Sequence, residues 1–221
     1  MSQKKWILIS IFLTWISSNT HAVPTLTGSS GLIKVPTAEA LQYKQFNIGI
    51  DSQVTDTGEM LTYSYKLGLG TFKNLEMSLI GGSTPKEGVF INAKYYLMSD
   101  TARLPLSIAI GAENLSSMSQ TNIYMVASKK IRYDIGLHGG FKATINEEIN
   151  PTIMGGINYL LLQQLELLAD IDGNETAYAI NTGVRFYLTP DIAFKASILD
   201  VFNTSPNEIQ INAGVAISRY L

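Results

Sequence analysis

Residues 61–82, LTYSYKLGLGTFKNLEMSLIGG, decide the fold because two alternating runs flank one short polar break, TFKN. Apolar side chains in these runs alternate with polar residues or glycine, at Leu61, Tyr63, Tyr65, Leu67 and Leu69 and then at Leu75, Met77 and Leu79. A period of two residues is typical of a β-strand, whose successive side chains point to opposite faces. Strands of about 9 to 11 residues with one apolar and one polar face predict a transmembrane β-barrel.

The same alternation recurs along the rest of the chain, separated by short polar breaks. It predicts an all-β fold, a closed up-and-down antiparallel transmembrane barrel of about 12 strands, over residues 46–221. An even number of strands puts both ends of the barrel domain on one side. A soluble β-sandwich, which would bury the tyrosine-rich faces against each other, is the alternative fold. The predicted strands are 46–54, 60–70, 75–82, 88–98, 104–113, 121–129, 133–142, 151–160, 165–172, 177–188, 192–200 and 209–220.

Residues 1–22 have the pattern of a secretory signal peptide. Lys4 and Lys5 precede the apolar run 6–16, and a polar stretch then ends at Ala22. A short membrane anchor is the alternative, but a membrane-spanning helix needs about 20 apolar residues and this run supplies about 11. We therefore expect cleavage before Val23 and export to the outer membrane of a diderm bacterium.

Composition excludes several classes of function. The formal net charge is −2, and loss of Lys4 and Lys5 with the leader makes the remaining chain more acidic, so no nucleic-acid partner is expected. The absence of cysteine removes disulfides, thiolate metal sites and thiol nucleophiles. Mean hydropathy is only +0.13, and beyond the leader no apolar stretch approaches helical membrane-spanning length. No cofactor or metal is predicted.

Residues 23–45 are the least regular part of the chain. A Gly/Ser turn is followed by a short apolar stretch that ends at a proline. This segment is either a lead-in packed on the periplasmic rim or a plug folded into the lumen. The plug candidates are Leu32, Ile33, Val35 and Pro36.

The polar face of the predicted strands carries charges of both signs together with tyrosines. We expect Lys66 beside Glu76, Glu76 near Lys94, and Glu166 near Arg185. These pairs form either a neutralised ladder inside the barrel or a lining that selects solutes or binds sugar. The candidate lumen-lining residues are Lys66, Glu76, Lys94, Tyr96, Tyr124, Glu166, Asn181, Arg185, Tyr187 and Lys195.

The sequence gives little support for a catalytic site. His138 is the only histidine outside the leader, and a barrel lipase would need it next to a serine at the lipid boundary, whereas the alternation turns His138 inward. We predict that the protein is not an enzyme. Asp170 and Asp172 share a face and could bind a divalent cation with Glu175, although an acidic turn before a Gly-Asn step is commoner as a plain hairpin.

The breaks between strands fall into two alternating sets of opposite charge. If both ends of the barrel are periplasmic, the acidic set faces outside the cell. The basic set holds Lys73, Arg103, Lys129, Lys130 and Arg132. The acidic set holds Asp56, Glu59, Glu87, Glu113, Glu147, Glu148, Asp172, Glu175 and Glu208.

Several short motifs occur together in one order: GLIKVPT at 31–37, AKYYL at 93–97, IGAEN at 110–114, ADIDG at 169–173 and NTGVR at 181–185. In these the chain resembles the YjbH-like (GfcD-like) outer-membrane proteins associated with exopolysaccharide production and capsule export. Members of that family are much longer, so this chain corresponds to one barrel unit. The final strand also resembles the C-terminal strand that barrel assembly machinery recognises, although it ends in Leu221 where that pattern has an aromatic residue.

The resemblance implies an accessory or narrow conduit in exopolysaccharide export or cell-envelope biogenesis. Expected partners are outer-membrane lipid and lipopolysaccharide, barrel assembly machinery, and polysaccharide or export components. A structural or adhesin-like barrel without transport and a small-solute porin are the alternatives.

Overall fold

The computed structural model describes residues 22–55, 60–83, 88–98, 106–174, 177–204 and 209–221. Within these ranges the regular structure consists of strands, and no helix is long and apolar enough to cross a bilayer. The predicted signal peptide lies outside the described residues except for Ala22. The strands are β1 (Gln45–Thr55), β2 (Met60–Phe72), β3 (Leu75–Gly82), β4 (Phe90–Met98), β5 (Ser107–Glu113), β6 (Thr121–Lys130), β7 (Ile135–Ile145), β8 (Ile149–Leu162), β9 (Leu165–Gly173), β10 (Tyr178–Thr189), β11 (Ile192–Leu199) and β12 (Gln210–Tyr220).

Each strand pairs antiparallel with its sequence neighbours, and β1 pairs with β12, so the sheet closes into an up-and-down barrel. The closing seam runs from Gln45 opposite Tyr220 to Thr55 opposite Gln210. The predicted fold is confirmed, and the soluble sandwich is wrong. The largest boundary difference lies in the β7–β8 hairpin, where pairing continues to Ile145 opposite Ile149. The sequence predicts a loop there because its side chains are polar, but ladder hydrogen bonds use the backbone.

The two faces of the sheet are the reverse of those in a soluble protein. Apolar side chains such as Leu67 and Phe186 point outward and are 45% and 41% exposed. Their neighbours Lys66 and Arg185 point inward and are only 1% and 4% exposed. The buried core therefore lies in the lumen and is rich in polar groups, as expected where lipid covers the outer face.

Both described ends of the chain lie at one end of the barrel, where the backbone N–H of Leu221 donates to the carbonyl of Lys44 at 2.9 Å. We call this the terminal end and the opposite one the loop end. The β2–β3 turn is at the terminal end, where Asn74 adopts a left-handed φ of 69°, a conformation that asparagine tolerates in turns. Several residues of the two charged sets lie outside the described ranges: Asp56, Glu59, Glu87, Arg103, Glu175 and Glu208.

Candidate functional site

Residues 22–41, here called the lumen segment, lie inside the barrel. Leu41 is buried near the terminal end. The carbonyl of Thr27 reaches the loop end of β4, where Asn92 Nδ2 donates to it at 2.9 Å. The start of the segment is at the terminal end as well, since Asn47 Nδ2 near the start of β1 donates to the carbonyl of Ala22 at 2.8 Å. The segment is therefore a hairpin that enters and leaves at the terminal end.

The lumen segment satisfies part of its backbone by pairing with itself. Bridges join Pro24 to Ser30 and Gly31 to Pro36. A Cβ at Gly31 would lie 2.6 Å from Pro36 Cα, so this tight turn needs glycine. Backbone groups left over from these turns are bound by inward side chains of the barrel, as buried polar groups require.

Asp170 on β9 is one anchor of the lumen segment. Its Oδ2 accepts three consecutive backbone N–H groups, those of Ile33, Lys34 and Val35, at 2.9, 2.7 and 3.0 Å. Asn181 on β10 donates through Nδ2 to the other oxygen, Oδ1, at 2.8 Å. Hydrogen bonds to a charged group contribute about 1.5 to 3 kcal/mol each, so this carboxylate holds the turn at 33–35 strongly.

Glu76 on β3 and Lys94 on β4 form a second anchor. They are 3.3 Å apart, as the sequence predicts for this pair. Glu76 accepts from the backbone N–H of Ser30 at 2.7 Å and from that of Leu41 at 2.9 Å. The Lys94 ammonium donates to the carbonyls of Ser30 at 2.8 Å and Glu39 at 2.6 Å. The pair thus holds the segment just after its tip, at Ser30, and again where it leaves the lumen, at Glu39 and Leu41.

Arg185 on β10 and Glu166 on β9 form the other predicted pair, at 2.9 Å. Tyr187 donates through its hydroxyl to the same oxygen, Glu166 Oε2, at 3.0 Å. The other terminal nitrogen of the guanidinium, Arg185 Nη2, donates to the carbonyl of Gly31 at 3.0 Å. The arginine therefore joins the barrel wall to the lumen segment.

Lys66 does not pair with Glu76, so that prediction is wrong. The β2–β3 register puts Gly70 opposite Glu76. Lys66 is four residues away from Gly70, which is about 13 Å along the strand at ~3.3 Å per residue. Lys66 instead binds Asp51 on β1 at 2.5 Å. Lys195 on β11 binds the same carboxylate at 3.0 Å, and also donates to the carbonyl of Pro24 at 3.1 Å. Sequence reasoning missed Asp51 because it did not consider contacts across the closing seam, where Gly214 on β12 lies opposite both Asp51 and Lys195.

Apolar contacts fill the space between these polar anchors. Val35 and Ala38 pack with Tyr124 of β6, and Tyr96 lies against this cluster. Leu32 and Ile33 form another cluster, together with Leu168 and Leu199. Tyr187 packs against a third cluster of Val23, Ala193 and Ala216. In this state Tyr96, Tyr124 and Tyr187 contact protein and form no open platform for sugar.

Little space remains beside the lumen segment at β9–β12. A cavity of about 20 Å³ lies there, lined by Leu26, Ile33, Leu168, Lys195 and Asn212 among others. That volume holds about one water molecule. At the loop end, Thr27 donates through its hydroxyl to Glu113 at 2.7 Å, which ties the tip of the hairpin to β5.

The Asp170 and Asp172 pair does not form a cation site with a third ligand among the described residues. Asp170 is occupied by the turn at 33–35, and Asn181 lies 3.4 Å from Asp172 Oδ1. Glu175, the third predicted ligand, lies outside the described ranges. Sequence reasoning missed the role of Asp170 as an acceptor for backbone N–H groups.

No family model matches the chain, and no curated protein does. Solved structures do resemble it. The KdgM porin superposes with a TM-score of 0.58 at 14% identity, covering 79% of this chain and 99% of that one. The NanC porin gives 0.55 at 10% identity, with 80% and 99% covered. An outer membrane channel from Pseudomonas putida F1 gives 0.52 at 9% identity, with 82% and 98% covered. These are porin-like outer-membrane barrels of twelve strands, and the chain has their fold.

Proposed function

We propose that the protein is an outer-membrane barrel kept closed by its own N-terminal hairpin, and that it serves as a gated conduit or accessory in exopolysaccharide export or cell-envelope biogenesis. The observation that carries the proposal is that charged side chains in the lumen bind the lumen segment. Asp170, Glu76, Lys94, Arg185 and Lys195 all bind backbone groups of the lumen segment. A permanently open pore would instead leave such groups facing water.

A saccharide passenger is supported by the groups that the segment covers. Tyrosine rings, amides and charges of both signs lie beneath it, and these suit a hydroxyl-rich chain. The resemblance to the YjbH-like proteins points to exopolysaccharide. One structure of the KdgM porin contains disordered oligogalacturonate. Outer-membrane lipid and lipopolysaccharide would cover the outer face, and barrel assembly machinery would insert the chain.

A small-solute porin is the second candidate, and it is favoured by the likeness to the KdgM and NanC porins. It requires the lumen segment to leave the barrel for most of the time. A structural or adhesin-like barrel requires that it never leave. The three functions therefore differ in the conductance of the intact protein and in its response to release of the segment.

Deletion of residues 23–41 is expected to raise conductance in planar bilayers on the order of tenfold or more, since twelve strands lie between the filled barrels of eight and the open ones of 16 to 18. The intact protein should show little steady conductance and occasional openings. Large, constant conductance in the intact protein would favour the porin. A folded deletion variant that stays closed would contradict the gating role.

The orientation follows from the charged turns and is tested separately. Glu148→Cys in the β7–β8 turn should react with a membrane-impermeant maleimide on intact cells, whereas Lys73→Cys in the β2–β3 turn should not. Both positions are exposed in the structure, so burial does not bias the comparison. Disruption of the outer membrane should make Lys73→Cys reactive. Equal labelling before disruption would show that the terminal end is not periplasmic.

A further inference from the structure

A row of hydrogen-bonded side chains crosses four strands on the inner face. Ser128 Oγ on β6 lies 2.8 Å from His138 Nδ1 on β7. His138 Nε2 lies 2.9 Å from Asn158 Oδ1 on β8. Asn158 Nδ2 donates to Glu166 Oε1 on β9 at 2.8 Å. A serine, a histidine and an amide in sequence have the arrangement of a nucleophile, a base and a group that orients the base.

The hydrogen bonds of Glu166 assign the direction of the whole row. Arg185 and Tyr187 both donate to Glu166 Oε2, so this carboxylate acts as an acceptor. It therefore accepts from Asn158 Nδ2, which leaves Asn158 Oδ1 as an acceptor. The proton of His138 then lies on Nε2, and the lone pair of Nδ1 accepts the hydroxyl of Ser128. This tautomer makes His138 a base directed at the serine.

Neighbouring residues fit the same arrangement. A Cβ at Gly136 would lie 3.1 Å from His138 Nε2, so glycine keeps the space through which His138 reaches Asn158. Ser107 on β5 lies directly opposite Ser128. The hydroxyl of Tyr96 is 3.3 Å from Ser107 Oγ. Hydroxyl groups thus stand on β5 and β4, on the opposite side of Ser128 from His138.

We propose that Ser128, His138 and Asn158 are a latent acyl-transfer site for esters that enter the lumen, such as an O-acyl group on a saccharide. Ser128 Oγ bonds to the acyl carbon while its proton passes to His138 Nδ1. The ester C–O bond breaks, and that proton passes to the leaving oxygen to give an alcohol. Water then attacks the acyl-serine in the same way, which releases the acid and restores Ser128.

In the closed barrel the site is capped. The backbone N–H of Ala38 donates to Ser128 Oγ at 2.8 Å, and Ser128 is 3% exposed. Activity therefore rests on the proposed function, because the lumen segment must move before an ester can reach Ser128. Ser128 and His138 meet in the lumen, and not at the lipid boundary where a barrel lipase would need them.

The full chain with Val35→Glu tests the site. This change puts an unpaired charge into the buried cluster of Val35, Ala38 and Tyr124, and it leaves the strands untouched. A fluorophosphonate should then modify Ser128 at least tenfold faster than Ser78, an inward serine of equal 3% exposure without a neighbouring histidine. Addition of His138→Gln to Val35→Glu should abolish the difference. Mass spectrometry of the peptides locates the adduct.

The outcomes separate the two proposals. Raised conductance of Val35→Glu without an adduct on Ser128 overturns the acyl-transfer site and leaves the gating role intact. Unchanged conductance counts against the gating role. In that case the imidazole ¹⁵N shifts of His138 in the unaltered protein test the acyl-transfer site. A proton on Nδ1 overturns it, whereas a proton on Nε2, with an Nδ1 shift that changes in Ser128→Ala, supports it.

Discussion

Asp170→Asn is expected to release the lumen segment and to speed tryptic cleavage after Lys34 on the order of 100-fold. Asparagine has one acceptor oxygen, whereas Asp170 accepts from the segment with Oδ2 and from Asn181 with Oδ1. One of the two sets of donors must therefore face an amide NH₂. Each buried donor left unsatisfied costs about 1 to 3 kcal/mol, and three belong to the turn at 33–35.

Asp172→Asn is the matched control, because the same change is made two residues further along the inner face of β9. Asp172 accepts one long hydrogen bond, from Asn181 Nδ2 at 3.4 Å, so its replacement should leave Lys34 protected. Conductance should rise in Asp170→Asn and stay low in Asp172→Asn. Equal protection of Lys34 in both variants would show that Asp170 does not hold the segment.

Leu67→Arg should lower the free energy of unfolding by about 2 to 4 kcal/mol, because Leu67 lies near the middle of β2 on the outer face, where a charge would meet the bilayer midplane. Phe72→Arg, at the terminal end of the same strand, should cost about 0 to 1 kcal/mol. Both side chains are outward and exposed, by 45% and 67%. Denaturant titration in lipid vesicles measures the difference, and equal losses would contradict a lipid-covered outer face.

The strands could be predicted because lipid and the filled lumen impose opposite chemistry on alternate residues. Turn length did not decide which ion pairs could be predicted, because the short β2–β3 turn joins the two strands of the pair that was wrong. Glu76 and Lys94 are directly opposite each other, and Glu166 and Arg185 likewise, so both pairs follow from hairpin geometry. Lys66 was assigned to the wrong partner because its true partner, Asp51, lies on the preceding strand.

The contacts of the lumen segment could not be predicted from side-chain patterns. Most of its polar contacts use its backbone, as in the three N–H groups on Asp170 and the carbonyls on Lys94. Backbone groups are the same in every residue except proline, so they leave no periodic signal. The row from Ser128 to Glu166 was hidden for a different reason, since its members lie on separate strands and meet only through register.

The separation along the chain between the hairpin and its anchors has a consequence for the order of assembly. Val35 binds Asp170, 135 positions later, and Pro24 binds Lys195, 171 positions later. The residues synthesised first therefore find their last partners only after β9 and β11 exist, and contacts of such long range form slowly. Glu76 and Lys94 offer an early, partial attachment. A nascent barrel should consequently pass through a water-filled intermediate, and the hairpin would displace that water in the final step.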